Sequence, residues 1–521
     1  MTAHRTTLAV LAVLALSGTC WELASAADEA VNLNLIPWPK SVKVESGNLA
    51  LSAESRIVAA DAKLMPLAEL LSGEIEMVTG AKLKAAQGSP KAGDVVLKID
   101  PSLKGEEYSL RVSDRALVAG GDYQAVAGGT ATLLQAIQAD GGTVTLPHLT
   151  IADEPAKPYR GVLIDVARRY NSIEDLRKCV VLCRLYKVRY MHLHLSDDQA
   201  WTFPSKAFPK LGSSNRGFRG PAPKVYKLQD LKDLVAFADQ RGVTLVPELD
   251  VPGHTDTLRI PYPETFDAND GPAHMGLVDM ANPKAYEGLA TLIGEVCEVF
   301  KSSPYFHIGA DEANLGRCKV SPQFKEFVKA HGLTEDPYDL YCHFIVEMDK
   351  AVKKNGRHTL VWADFHGTGS TNATIPTDVI GMSWRDDAGS TENYIKNGYS
   401  VINANWTPLY IVNQTTETVN KVEDARGKHR PETIYAWNVY LVKDKTLPPA
   451  DKMIGAQICC WEQGGEIQVP SLRPRLPAMC ERVWNPDAGK TFEDFAGRLK
   501  ATDRVLDRLL PEGSIPGKQP M

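Results

Sequence analysis

Tyr305-Phe306-His307-Ile308-Gly309-Ala310-Asp311-Glu312-Ala313-Asn314 is a short apolar run that stops abruptly at two adjacent carboxylates. An amphipathic helical pattern ends at Val296 to Phe300, and Ser302-Ser303-Pro304 breaks it, so Tyr305 to Gly309 reads as a buried strand. Asp311 and Glu312 then stand at the strand's C-terminal end. In an α/β barrel that is the edge where the loops converge and catalytic residues collect. Two neighbouring acids repel each other when both are ionised, which lets one keep its proton near neutral pH and serve as a general acid. The competing reading is a loop carrying two solvated acids.

Outward from this stretch the pattern is regular. Apolar strands are expected at Gly161 to Val166, Val188 to Leu195, Thr244 to Leu249, Tyr305 to Gly309, Thr359 to Trp362, Val379 to Trp384, Ser400 to Trp406 and Met453 to Trp461. Helical patterns at Ile173 to Tyr186, Leu228 to Arg241, Lys284 to Phe300, Tyr338 to Lys354 and Ser390 to Asn397 fill most gaps. Eight such units over this length fit a (β/α)8 TIM barrel of class α/β, with Asn413 to Lys452 a long insertion before the last strand.

Residues 27–155 read as a small N-terminal α/β domain. Strands are expected at Arg56 to Ala60 and Asp94 to Ile99, a hairpin at Tyr108 to Val112 and Ala116 to Ala119, and helices at Leu64 to Met77 and Gly128 to Ala139. The proline-interrupted stretch Ile151 to Pro158 marks the boundary, so residues 156–521 form the barrel with a C-terminal helix. Met1 to Ala26 has the form of a secretory signal peptide: Arg5, the apolar run Leu8 to Leu16, and Ala24-Ser25-Ala26 as a cleavage site. The expected location is therefore secreted or periplasmic. A lipid on Cys20 is the weaker alternative.

The chain has 521 residues, 44% of them hydrophobic, and a formal charge of -6 without long charged runs. Neither nucleic acid nor a charged membrane is indicated as partner, and no stretch has membrane-spanning length. Eight cysteines follow the signal segment; Cys179 and Cys183 lie one helical turn apart and Cys459-Cys460 falls in an apolar strand, where buried thiols are the default. A disulfide or two would suit an exported chain, but this is no disulfide scaffold. Oligomeric state is left open.

Strand ends are dense in polar and aromatic groups. Arg160 begins the first strand region, His192 to Asp198 close the second, Glu248 to His254 the third, and Trp362, Trp384, Trp406 and Trp461 close the fifth to eighth. Any one tryptophan is most simply a core residue. Four at successive strand ends suggest an aromatic-walled pocket, which suits the apolar C–H faces of sugar rings. His192, His194, Glu248, Asp250 and His254 include zinc-capable side chains, but their spacing matches no compact zinc motif, so no metal or other cofactor is expected.

Together, His307-Ile308-Gly309-Ala310-Asp311-Glu312, Tyr159-Arg160-Gly161, His194-Leu195-Ser196-Asp197-Asp198-Gln199 and Pro247-Glu248-Leu249-Asp250-Val251-Pro252-Gly253-His254 resemble the family 20 glycoside hydrolases, the β-N-acetylhexosaminidases. The resemblance covers most of the chain after the signal segment, small domain included. It implies N-acetylhexosamine-containing glycans as substrate and a retaining mechanism in which the substrate, not the protein, supplies the nucleophile. On that resemblance Glu312 is the proton donor and acceptor, Asp311 orients the 2-acetamido group, and Tyr410 hydrogen-bonds its carbonyl. Trp362, Trp384 and Trp461 enclose the ring, Arg160 binds hydroxyls with Asp197 nearby, and His254 and Glu248 support the site.

Two departures stand out. Val412 occupies a position where the family commonly has Asp, and Gln463 one where it commonly has Glu. Either Gln463 replaces that acid as a neutral partner or the loop shifts to present Glu462. Ala310 for the usual Gly is a smaller change. Three alternatives accompany the leading expectation: a disaccharide-releasing lacto-N-biosidase-like enzyme, a non-catalytic glycan-binding protein, and a metal-dependent hydrolase.

Overall fold

The structure, a computed structural model, describes residues 33–268, 276–365, 367, 369–370, 372–412 and 429–510. The expected signal peptide and residues 413–428 of the insertion lie outside the described residues.

Eight parallel strands form the barrel: Tyr159–Asp165, Tyr190–His194, Thr244–Val251, Tyr305–Gly309, His358–Trp362, Ile380–Ser383, Val401–Asn403 and Met453–Trp461. Each pairs with the next, the eighth pairs with both the seventh and the first, and the sheet closes. The first three strands are buried along their whole length, as strands covered by helices outside and packed side chains inside must be. A ninth short strand, Tyr410–Val412, pairs with Cys459 to Trp461 and was expected only as part of the loop after the seventh. The interior is layered. Near the N-terminal ends Tyr159 stacks on Tyr190 with ring centres 4.7 Å apart, and Tyr305 meets Tyr190 edge-on. Nearer the C-terminal ends, register places Glu248 beside both His194 and His307.

The small domain is an eight-stranded mixed sheet with two helices, Met65–Thr79 and Tyr123–Ala136. Two of its long strands, Ser41–Leu51 and Thr143–Asp153, were not expected from the sequence, and the second runs through the first three residues of the predicted boundary. The second helix begins at Tyr123, not Gly128, because Asp122 caps it by accepting from the Ala125 N–H. Gly129 sits inside the helix, where a Cβ would stand 2.5 Å from Val118 Cγ1 and 2.9 Å from the Tyr108 ring.

Buried ion pairs join sheet domain and barrel at the N-terminal face. Arg184 meets Glu74 at 3.0 Å and donates to Thr130 Oγ1 at 2.8 Å. Lys187 lies 3.5 Å from Asp153, whose carboxylate also accepts from Tyr108 Oη and Trp484 Nε1. Arg160 belongs here too. Its guanidinium pairs with Glu106, donates to the Lys157, Pro158 and Lys187 carbonyls, and lies over Trp484. It is therefore at the opposite end of the barrel from Asp311 and does not line the cleft at that end, where the sugar-binding role expected of it would place it. All eight described cysteines are buried free thiols. No described helix is long and apolar enough to cross a membrane.

Removing one member of a buried pair leaves its partner's charge uncompensated. Glu74→Ala and Arg184→Ala should each lower the unfolding free energy by about 3 kcal/mol in urea titrations. The double variant should lose clearly less than the sum, as groups in one pair are coupled.

Candidate active site

At the C-terminal face a cleft with about 570 Å³ of open space is lined by Arg168, Asp311, Glu312, Trp384, Trp406, Tyr410, Val412, Trp461 and Glu462. Its floor is a turn that few sequences tolerate. Gly309, Ala310 and Glu312 all have left-handed backbone, with φ of 70°, 73° and 49°. A Cβ at Gly309 would stand 1.8 Å from Asp250 Oδ1, so only glycine fits. Hydrogen bonds hold the turn: Ala310 N–H donates to Val251 O at 3.0 Å, Tyr341 Oη donates to Ala310 O, and Glu312 N–H donates to Asp364 Oδ2 at 3.1 Å. His254 and Glu462 are left-handed as well. Strain of this kind persists where the surroundings over-determine it, and here it gathers around one cleft.

His254 joins the acids to the barrel. Its Nε2 lies 3.5 Å from Glu312 Oε2 and 4.0 Å from Asp311 Oδ2, while Nδ1 lies 3.6 Å from Asp197 Oδ1 and 3.5 Å from Asp198 Oδ2. Burial disfavours its charge, but Asp197 and the hydrogen bonds to Asp198 and Glu312 prevail and raise its pKa well above the ordinary value. Asp197, fully buried, also accepts from Arg168 Nη2 at 2.7 Å and pairs with His194 at 2.9 Å. Burial is the largest influence on its carboxyl, yet Arg168 and His254 overcome it and hold the pKa well below the usual range. Asp197 does not line the cleft, contrary to the expectation of a sugar contact; it positions Arg168 and His254.

The two acids are set apart electrostatically. Burial pushes Asp311 up to about 7 despite His254, with Asp364, Glu248 and Glu312 adding to the rise. The His254 hydrogen bond lowers Glu312 in spite of partial burial. A proton shared by the pair therefore favours Asp311 over Glu312.

The aromatic wall consists of Trp384 and Trp406 stacked against Tyr410, with Trp461 5.8 Å from Trp362 behind it. Trp362 itself is 1% exposed, and its indole donates to Glu248 Oε1 at 2.8 Å, so it stands behind Trp461 and backs the wall. Glu248 likewise supports from inside the barrel, and does not touch the cleft. Gln463 turns away: its amide donates to Ile411 O and accepts from Ser471 Oγ. Of the two readings of this loop, the one presenting Glu462 holds; Glu462 lines the cleft, with Arg219 3.5 Å away at its rim. Val412 is part of the wall, which leaves that stretch apolar where an acid is common.

Sequence reasoning passed over Arg168, which lies three residues past Asp165, the last residue of the first strand. Its position at the C-terminal end, against that of Arg160 at the start of the same strand, was the available signal. Buried His and acid groups, such as His192, Glu248 and His307, come within 4.8 Å of one another. His192 Nε2 and His307 Nδ1 lie 3.1 and 3.0 Å from the Glu248 carboxylate, and a second such group, Asp250, His254 and Asp311, reaches the cleft through Asp311.

A carboxyl raised on folding favours the folded state below its unfolded pKa and loses that advantage as pH rises through the folded one. The stability of the wild type relative to Asp311→Asn should therefore fall between about pH 4 and pH 7, by at most about 1.4 kcal/mol per pH unit. Chemical denaturation across that range would read it, and a flat difference would refute the shift.

Residues 158–487 match the family model of the glycosyl hydrolase family 20 catalytic domain, and residues 32–154 that of the family's domain 2. A β-hexosaminidase of Porphyromonas gingivalis is 29% identical over 498 residues, covering 90% of this chain and 62% of that protein. One from Vibrio furnissii is 27% identical over 402 residues, 72% of this chain and 63% of the relative. The chain thus spans about six tenths of the length of these curated relatives. Among solved structures, the exo-β-N-acetylglucosaminidase of Vibrio harveyi in complex with N-acetylglucosamine superposes with a TM-score of 0.80 at 24% identity, over 92% of this chain and 77% of that one, which shows the shared fold. With two matched models accounting for nearly all of the described residues, the chain belongs to glycosyl hydrolase family 20.

Proposed function

We propose that this chain is an exo-acting β-N-acetylhexosaminidase that removes terminal non-reducing N-acetylhexosamine from glycans by a retaining, substrate-assisted mechanism. The observation that carries the reading is the adjacent pair Asp311 and Glu312, set in a tryptophan-walled cleft, with burial raising Asp311 and the His254 hydrogen bond lowering Glu312. The names of the relatives agree with it.

In this mechanism the sugar stacks between Trp384 and Trp461, and its acetamide points to Tyr410 and Asp311. The acetamide N–H donates to Asp311, which favours the carboxylate there, while the sugar shields Glu312 from water and favours its protonated form. Binding so transfers the proton from Asp311 to Glu312. The acetamide oxygen then attacks the anomeric carbon as the glycosidic C–O bond breaks, and Glu312 gives its proton to the departing oxygen. An oxazolinium ion results, its positive charge facing Asp311. Water next adds to the anomeric carbon, Glu312 takes the water's proton, and the ring opens with configuration retained. Because the nucleophile is tethered, several kcal/mol of the barrier are removed by proximity. Arg168 and Glu462 are placed to take ring hydroxyls.

On an aryl N-acetyl-β-glucosaminide, Glu312→Gln should lower kcat by about 100- to 10,000-fold, the range for general acid–base groups. The wild type should leave the matching glucoside, without the N-acetyl group, essentially uncleaved. Equal turnover of both glycosides would overturn substrate assistance. Binding of a thiazoline analogue without turnover of any hexosaminide would instead leave a glycan-binding protein.

We also propose export, on the pattern of Met1 to Ala26. N-terminal sequencing of the chain recovered from periplasm or medium should begin at about Ala27; recovery of the unprocessed chain only from cytoplasm would count against it.

A further inference from the structure

Asp364 follows the fifth strand and gives its whole carboxylate to N–H groups of the cleft. Oδ1 accepts from Trp384 Nε1 at 3.0 Å and Arg385 Nε at 3.1 Å. Oδ2 accepts from Arg385 Nη2 at 3.0 Å and from the backbone N–H of Glu312 at 3.1 Å. Arg385 in turn lies over the Trp384 ring, 4.2 Å from its centre. One carboxylate thus joins a wall of the cleft, a cation on that wall, and the peptide of the neighbouring acid.

That peptide is the one that needs holding. Glu312 has a φ of 49°, which a residue with a side chain keeps only under restraint. Without an anchor the peptide would relax, and the carboxyl group would swing with it. Asp364 also stands between the charges: it repels a negative Asp311, and it partly neutralises Arg385, which would otherwise act more strongly on Glu312.

We propose that Asp364 is a positioning residue for the reaction, locking the Glu312 peptide to the Trp384–Arg385 wall so that the sugar platform and the proton-transfer group keep one fixed relation. The proposal rests on the hydrolase reading above. A platform that fixes the sugar and the acid through the same atoms sets the direction of proton transfer before substrate arrives. Orientation of this kind is worth up to about 100-fold in rate for a 1 Å displacement.

The test compares wild type, Asp364→Asn and Asp364→Glu on an aryl N-acetyl-β-glucosaminide, with kcat and KM measured separately from pH 4 to 9. In Asp364→Asn an acceptor oxygen becomes an amide that faces N–H donors. Its kcat should fall by about 100-fold while KM changes less than about threefold. Its basic limb should move to lower pH, since a repulsion on Asp311 is lost and Arg385 acts on Glu312 unopposed. The Glu variant, which keeps the charge, should recover part of kcat. Wild-type kcat with an unmoved limb in Asp364→Asn, or a loss confined to KM, would overturn the proposal. Should that variant fail to fold, Arg385→Gln takes its place and should move the limb to higher pH; no movement is the refuting result. If the wild type itself turns over nothing, the activity reading fails separately, and crystal structures then decide. Glu312 leaving its left-handed conformation in Asp364→Asn supports the lock, and an unmoved Glu312 and Trp384 refute it.

Discussion

Glu248 carries a negative charge inside the barrel with no access to water, and the site is arranged around the means of keeping it there. Burial alone would protonate it, yet His194, His307 and His192 hold its pKa well below the ordinary value. Its oxygens meet His194 Nδ1 at 2.6 Å, His307 Nδ1 at 3.0 Å, His192 Nε2 at 3.1 Å and the Trp362 indole at 2.8 Å. His192, pushed down to about 4 chiefly by burial, stays neutral, while His194 is raised and takes the compensating charge. An isolated buried carboxylate would cost several kcal/mol; one that accepts from His194 and Trp362 with two further imidazoles close by becomes a rigid centre. From His194 the same alternation of sign continues outward to Asp197, then to Arg168 and His254, and ends at Glu312.

That alternation explains why two neighbouring acids differ so much. Glu312 stands at the end of this series of charges beside a cationic imidazole and partly in solvent, whereas Asp311 is more buried and feels the negative charges of Asp364 and Glu248. The backbone makes the difference reachable, since a left-handed turn at Ala310 and Glu312 puts two consecutive side chains into unlike surroundings.

Much of the barrel is legible in the sequence because its strands are apolar runs closed by breakers, and the acid pair because it ends such a run. The small domain's long strands are less so. Ser41–Leu51 is mostly exposed and carries no alternation, and Thr143–Asp153 contains Pro147, opposite the strand irregularity between Val44 and Asn48. Within the site, residues set by strand direction were read correctly as to face but not always as to end. Arg160 and Arg168 lie at opposite ends of one strand, and the resemblance alone pointed to the wrong one. Gln463 and Glu462 differ by one position, and which of them faces the cleft depends on a left-handed residue that no composition rule reveals. The place of Asp364 at the end of the fifth strand is legible, but its role is not, because its partners, Trp384, Arg385 and the Glu312 peptide, come from other strands.

The ionic seam beneath the barrel makes the two parts electrically dependent on each other. Arg160, Arg184 and Lys187 belong to the barrel, whereas Glu106, Glu74 and Asp153, which neutralise them, belong to the sheet domain. A barrel cut free at residue 156 would present three cations shaped for partners it no longer had. Grafting such a barrel onto another module would leave those charges uncompensated unless its underside were rewritten to match.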